Sequence, residues 1–242
     1  VKRLEKIRAT VGGPNSPTWL GLYQQTPVAP GGGMFKEPLW EYDLDVAGKK
    51  AGLRMVRYWD LAASKGKGDW TVGVLMGGDR HNQGYGLDVK RVRENAHKVK
   101  QLILATARSD GRDVKIGFEQ ERAGAGKAQI DDLKRMLVGY STVGVRPEGS
   151  KESRAAPYAS AQQGGLVTVP ENASWVNDYI EEHKVFPKGR HDDQVDASAG
   201  AFNMLAQAGP ASGEMLDDRE AAAFDRMMSL SFGGGGMLAG IR

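Results

Sequence analysis

The chain contains no cysteine, which excludes disulfides, thiolate metal sites and cysteine nucleophiles. Its four histidines are too few for a histidine-rich zinc centre, so a bound metal would be held mainly by carboxylates. No run of about 18 apolar residues occurs, so nothing reads as a membrane span. The basic N-terminus, VKRLEKIRATVGG, lacks the apolar core of a secretory signal. A strong charge imbalance is also missing: 33 Lys and Arg against 30 Asp and Glu leave +3. That balance is compatible with a nucleic-acid partner without demonstrating one. What is present, 242 residues of which 40% are hydrophobic, suffices for one sizeable α/β domain with extensions or two small ones.

Residues 1–53 read as a lead-in dense in Gly and Pro, with Trp19, Tyr23, Phe35 and Trp40 expected to pin it to a neighbouring surface. From residue 54 the texture changes. LRMVRYWDLAAS reads as a strand ending in Asp60, and DWTVGVLMGG (69–78) and YGLDVKRVR (85–93) as two more, forming an antiparallel meander. Residues 94–110 have helical periodicity, with Val99, Leu102, Ile103 and Ala107 on one stripe. A strand (113–120), an amphipathic helix (128–140) and a strand (142–147) follow. SKESRAAPYASAQQ reads as a helix, LVTVP (166–170) as a short strand, SWVNDYIEEH as a helix, and 191–208 as the last helix. A meander followed by α-linked strands predicts an α/β fold: a mixed sheet with helices on both faces. Residues 209–242 are expected to be a flexible glycine-rich tail.

Three acidic features carry the chemistry. Asp60 ends an apolar strand, where it is either a functional acid or a turn initiator or helix cap. Glu119 ends another, VKIGFEQ, just before Gly124 and Gly126, with Glu121 as its rival. Side by side, two such strand ends would bring repelling carboxylates together, to be offset by a shared proton or a cation. The third feature is HDDQVDA, which places Asp192, Asp193 and Asp196 at a helix start. Capping and the helix dipole account for one or two of these acids. No Lys or Arg follows within that helix, and its small residues 197–201 allow close packing on a sheet. Acids gathered there without basic partners imply a bound metal. Carboxylate oxygens favour Mg²⁺ or Mn²⁺, and three or four of them can bridge two ions about 4 Å apart for phosphodiester hydrolysis.

The pieces RYWDLAASKGKGDWTVGV, IGFEQERAGAGKAQIDDLK, SKESRAAPYASAQQGGLVTVP, WVNDYIEE and FPKGRHDDQVDASAGAFNML stand in an order that resembles the nuclease domain of tailed-phage large terminases, an RNase H-like group. YQQTPVAPGGGMF matches the approach segment, and the likeness runs over roughly residues 15–207. The resemblance implies an RNase H-like fold over 54–208. It also implies metal-dependent cleavage of concatemeric double-stranded viral DNA during packaging, in the cytoplasm of an infected bacterial host. Asp60, Glu119 and Asp193 match the catalytic acids, with Asp192 second to Asp193, and two Mg²⁺ or Mn²⁺ ions are implied with DNA bound. Asp69, Asp196, Glu121 and His191 are possible support residues. An ATPase domain preceding the lead-in, a portal protein and a small terminase subunit are the implied partners. GAGKA (124–128) lacks the spacing of a phosphate-binding P-loop and reads as a glycine-rich loop near the site.

Basic residues flank these acids. Lys127, Lys151, Arg154, Lys188 and Arg190 are the expected DNA phosphate contacts, with Lys65 and Lys67 as further candidates. No base-reading motif is apparent. A junction resolvase or RNA–DNA hybrid nuclease on the same fold, and a non-catalytic DNA- or portal-docking module, are the competing readings.

Overall fold

In a computed structural model of the chain, the described residues are 33–36, 40–50, 52–62, 70–81, 83–120 and 124–207. The β-rich runs form the expected meander: β2 (Arg54–Asp60), β3 (Thr71–Gly78) and β4 (Gly84–Val92) pair antiparallel in succession. β5 (Lys115–Glu119) and β6 (Thr142–Val145) add in parallel beyond β2. On the other side, β7 (Val167–Pro170) pairs parallel with β4, and β1 (Glu41–Asp43) parallel with β7. The sheet order is β1-β7-β4-β3-β2-β5-β6. This is the mixed α/β sheet expected from the alternation of strand and helix patterns.

Strand alternation divides the core between two faces. Val56 and Tyr58 of β2 point toward α3 (Lys151–Gln163), α4 (Val176–Val185) and α5 (Asp193–Gln207). Trp59, Ile116 and Phe118 point the other way. They pack on Val99 and Ile103 of α1 (Ala96–Asp110) and on Ile130 and Leu133 of α2 (Gly124–Met136). Helices therefore cover both faces. Arg57, on the α1 side, is fully buried in the sheet yet satisfied: its guanidinium donates to Asp110 at 2.7 and 2.9 Å, to Asp88 at 2.8 Å and to the Gly73 carbonyl at 3.0 Å. A buried charge is tolerated on these terms only.

Several boundaries differ from the sequence expectation. α2 begins at Gly124 and ends at Met136 rather than spanning 128–140, so GAGKA is the first turn of a helix and not a loop. Gly139 adopts φ +91°, a conformation that L side chains resist, and it turns the chain before Tyr140. Ahead of residue 54, the chain supplies edge strand β1 and a 3-10 turn at Val46–Lys50. Phe35 and Trp40 are buried and stack on each other within the α3–α5 core. Their apolar rings gain more from this burial than a surface contact would give. Trp19, Tyr23 and the tail from 209 lie outside the described residues. Among the described residues, no helix is long and apolar enough to cross a membrane.

Candidate active site

The site is assembled by strand parity. Asp60 follows Val56 and Tyr58 on one face of β2, and Glu119 follows Gly117 on the same face of β5. The parallel register Trp59↔Phe118 continues one step to set Asp60 beside Glu119 at adjoining strand ends. Across this face lies α5, packed on β2 and β3. The approach is close because glycines permit it. A methyl group added at Gly200 would clash with the edge of the Tyr58 ring, and one at Gly117 would clash with Met204 and Tyr58. The first turn of α5, with buried Asp193 and Asp196, thereby reaches the ends of β2 and β5.

The electrostatics record this convergence. The Asp60 carboxyl is held well above the usual carboxylate range, first by desolvation and then by the charges of Glu119, Asp196 and Asp193, with Lys151 pulling the other way. Tyr58, beneath the cluster, is likewise raised by burial and by Glu119 and Asp60. Glu119 from the neighbouring strand and Asp193 and Asp196 from the helix thus act on the Asp60 carboxyl, as nearby like charges do.

The expectation that these acids lack basic partners is corrected. Ser150 caps α3 by accepting from the Ser153 N–H at 3.1 Å, and the helix that starts there carries Lys151 and Arg154. Because α3 lies along α5, the Lys151 ammonium sits 2.8 Å from Asp192 and 3.0 Å from Asp196. Arg154 is 3.1 Å from Asp196 and 3.8 Å from Glu119. Burial alone would lower the Lys151 ammonium pKa, but its bonds to Asp192 and Asp196 outweigh that and raise it. Lys151 and Arg154, the expected DNA phosphate contacts, thus stand on the carboxylates in this structure. Among the described residues, no group of three or more acidic or histidine side chains converges closely enough to hold an ion as arranged. The donor set itself is all carboxylate oxygen, with a desolvated Asp60 among like charges. Such a set suits a hard divalent cation.

Of the remaining candidates, His191 sits between Asp193, with Nδ1 3.8 Å from Oδ2, and Arg93, whose Nη2 is 3.3 Å from Nε2. Lys127 is exposed on the first turn of α2, and Lys188 and Arg190 are exposed in the loop that precedes α5. Asp69, Glu121, Lys65 and Lys67 lie outside the described residues. Four participants, Glu182, Arg91, Arg93 and Trp70, carry no local signal in the sequence. Glu182 of α4 accepts from the Gln194 backbone N–H at 2.6 Å and its amide at 2.7 Å. Arg91 and Arg93 both pack on Trp70, at 4.3 and 4.1 Å from the ring centroid. The run WVNDYIEE contained Glu182, but nothing local to it signalled a partner twelve residues on.

A family model described as the terminase RNase H-like domain matches residues 57–205. Among solved structures, the human cytomegalovirus terminase nuclease domain, manganese-soaked with inhibitor bound, has a TM-score of 0.51 and 13% identity, over 78% of this chain and 97% of that one. The large terminase of a thermophilic bacteriophage has a TM-score of 0.50 and 11% identity, over 71% of this chain and 43% of that one. The large terminase nuclease of the thermophilic phage G20c, with bound magnesium, has a TM-score of 0.49 and 15% identity, over 72% of this chain and 98% of that one. No curated protein matches the sequence.

Proposed function

The chain belongs to the terminase RNase H-like domain family, and on that premise we propose that it is a metal-dependent endonuclease that cuts double-stranded viral DNA during genome packaging. The observation that carries this reading is the meeting of Asp60, Glu119, Asp193 and Asp196 at one end of the sheet. We take Asp60, Glu119 and Asp193 as the principal ligands, with Asp192 beside them. Asp196, first read as a support residue, joins them because it is buried and acts directly on Asp60. The likeness to a manganese-soaked terminase nuclease supports a divalent cation as the bound group. Held by these carboxylates, Mg²⁺ or Mn²⁺, two ions with DNA bound, would activate water and offset phosphate charge.

The chain's own residues do the rest. Glu119 and Asp60 are fixed by the β2–β5 register, and Asp193 and Asp196 by the packing of α5. Lys151 and Arg154 neutralise the acids before loading and become available to DNA phosphates afterwards. Lys127, Lys188 and Arg190 supply further phosphate contacts. In this reading an ATPase domain joins ahead of the nuclease, β1, Phe35 and Trp40 complete the sheet and core formed mainly by 54–207, and the portal and small subunit are assembly partners. The deciding experiment is cleavage of supercoiled plasmid by wild type and Asp193→Asn, with Mn²⁺, Mg²⁺ or EDTA. Cutting that requires metal and Asp193 supports the reading, and cutting that survives both EDTA and Asp193→Asn overturns it. A folded wild type inert in every condition favours a docking module.

A further inference from the structure

Antiparallel pairing of β3 with β4 sets Val92 opposite Thr71, which puts Trp70 and Arg93 at the same end of the sheet as Asp60. There the two arginines on Trp70 are in unlike electrostatic states. Arg91 is 3.0 Å from the buried Glu182 carboxylate and 4.0 Å from Asp178, so its charge is balanced. Arg93 is exposed, and among the described residues no carboxylate pairs with it. Its guanidinium is nonetheless restrained, with its carbon 4.1 Å from the Trp70 ring centroid and Nη2 3.3 Å from His191 Nε2. The other ring nitrogen of His191, Nδ1, faces Asp193 at 3.8 Å.

A guanidinium that is stacked but not neutralised keeps free N–H donors in a planar fork suited to a phosphate. Restraint by Trp70 lowers the ordering cost of using them. We propose that Arg93, held by Trp70 and His191, is a backbone-phosphate receptor that sets the DNA strand against the carboxylate site. Because Arg93 reaches Asp193 through one intervening side chain, a phosphate seated on it lies beside the cluster. The recognised group is the phosphodiester and not a base, so binding through Arg93 is independent of sequence. This rests on the nuclease reading given above.

The test is anisotropy of a short labelled duplex in metal-free buffer at several salt concentrations, for wild type, Arg93→Ala and Arg93→Gln. Each variant is expected to bind several-fold more weakly and to flatten the slope of log affinity against log salt by about one. Arg93→Gln keeps an uncharged stem against Trp70, so it reads out the charge alone if the alanine variant is destabilised. Trp70→Leu is expected to lose affinity at an unchanged slope, since the charge remains but is no longer oriented. In Mn²⁺, Arg93→Gln should raise KM with little change in kcat. If wild type binds and cuts DNA and both Arg93 variants keep its affinity and slope, the receptor is refuted while the nuclease reading stands. If wild type neither binds nor cuts, both fall together.

Discussion

The Glu182 carboxylate accepts the backbone N–H of Gln194 at 2.6 Å, so a residue of α4 closes the first turn of α5. The first N–H groups of a helix have no partner within it, and an anion there also meets the positive end of the helix dipole. Glu182 further binds the Gln194 amide at 2.7 Å and Arg91 at 3.0 Å. Glu182→Ala would strand all three donors and is expected to cost roughly 2–4 kcal/mol in denaturant unfolding. Because Asp193 and Asp196 flank Gln194, kcat for plasmid cutting should fall more than KM rises. A variant with wild-type stability and kcat would show that Glu182 does not position α5.

Lys151 lies between Asp192 and Asp196, in competition with any cation for the same oxygens. Lys151→Ala should lower Tm in EDTA, because the acids lose their neutralising partner. It should also enlarge the rise in Tm produced by Mn²⁺, since ligand stabilisation grows with affinity for the folded state. A Mn²⁺ shift no larger than that of wild type would argue against competition.

Asp60 is an acid whose ionisation is made costly by desolvation and by its acidic neighbours. Asp60→Asn removes that cost. In EDTA its Tm should rise, and a gain on the order of 1 kcal/mol corresponds to roughly 2–4 °C in a domain of this size. Metal-dependent cutting should be lost in the same variant. A lower Tm in EDTA would mean that Asp60 contributes more to the fold than its charge costs.

Gly200 allows α5 to rest on the Tyr58 ring. In an exposed helix, Gly→Ala stabilises by about 1 kcal/mol. Here Gly200→Ala should destabilise by about 1–3 kcal/mol through overpacking, and it should weaken cutting as the acids of α5 lift from β2. Thermal melts and plasmid assays together check both effects.

His183 is buried among Phe35, Trp40 and Tyr179, with Nδ1 2.7 Å from the Tyr179 carbonyl. Burial depresses its pKa from 6.5 to about 3, against the opposing pull of that carbonyl. The folded state therefore resists a proton that the unfolded chain accepts. The stability from neutral His183 is complete above the unfolded pKa of 6.5 and is lost as pH falls from there toward 3. The loss approaches about 1.4 kcal/mol per pH unit. Urea unfolding at pH 7 and pH 5 should show this decline in wild type, and His183→Gln should flatten it. An identical pH slope in the two proteins would refute the assignment.

What the sequence determined by itself was local. Alternation revealed β2, β3 and β4, and showed apolar strands ending in Asp60 and Glu119. A 3.6-residue period gave α1, and the HDD step marked the start of the last helix. These signals survive in one dimension because each depends on neighbours within a few residues. Contacts between distant residues were decided only by the tertiary structure: β1 beside β7, Lys151 on Asp192 across 41 positions, Arg93 on His191 across 98. Sheet order and the lie of α3 along α5 bring those residues together, and neither leaves a periodic trace in the chain. For the same reason, acids that looked unpartnered along the sequence meet two cations in space.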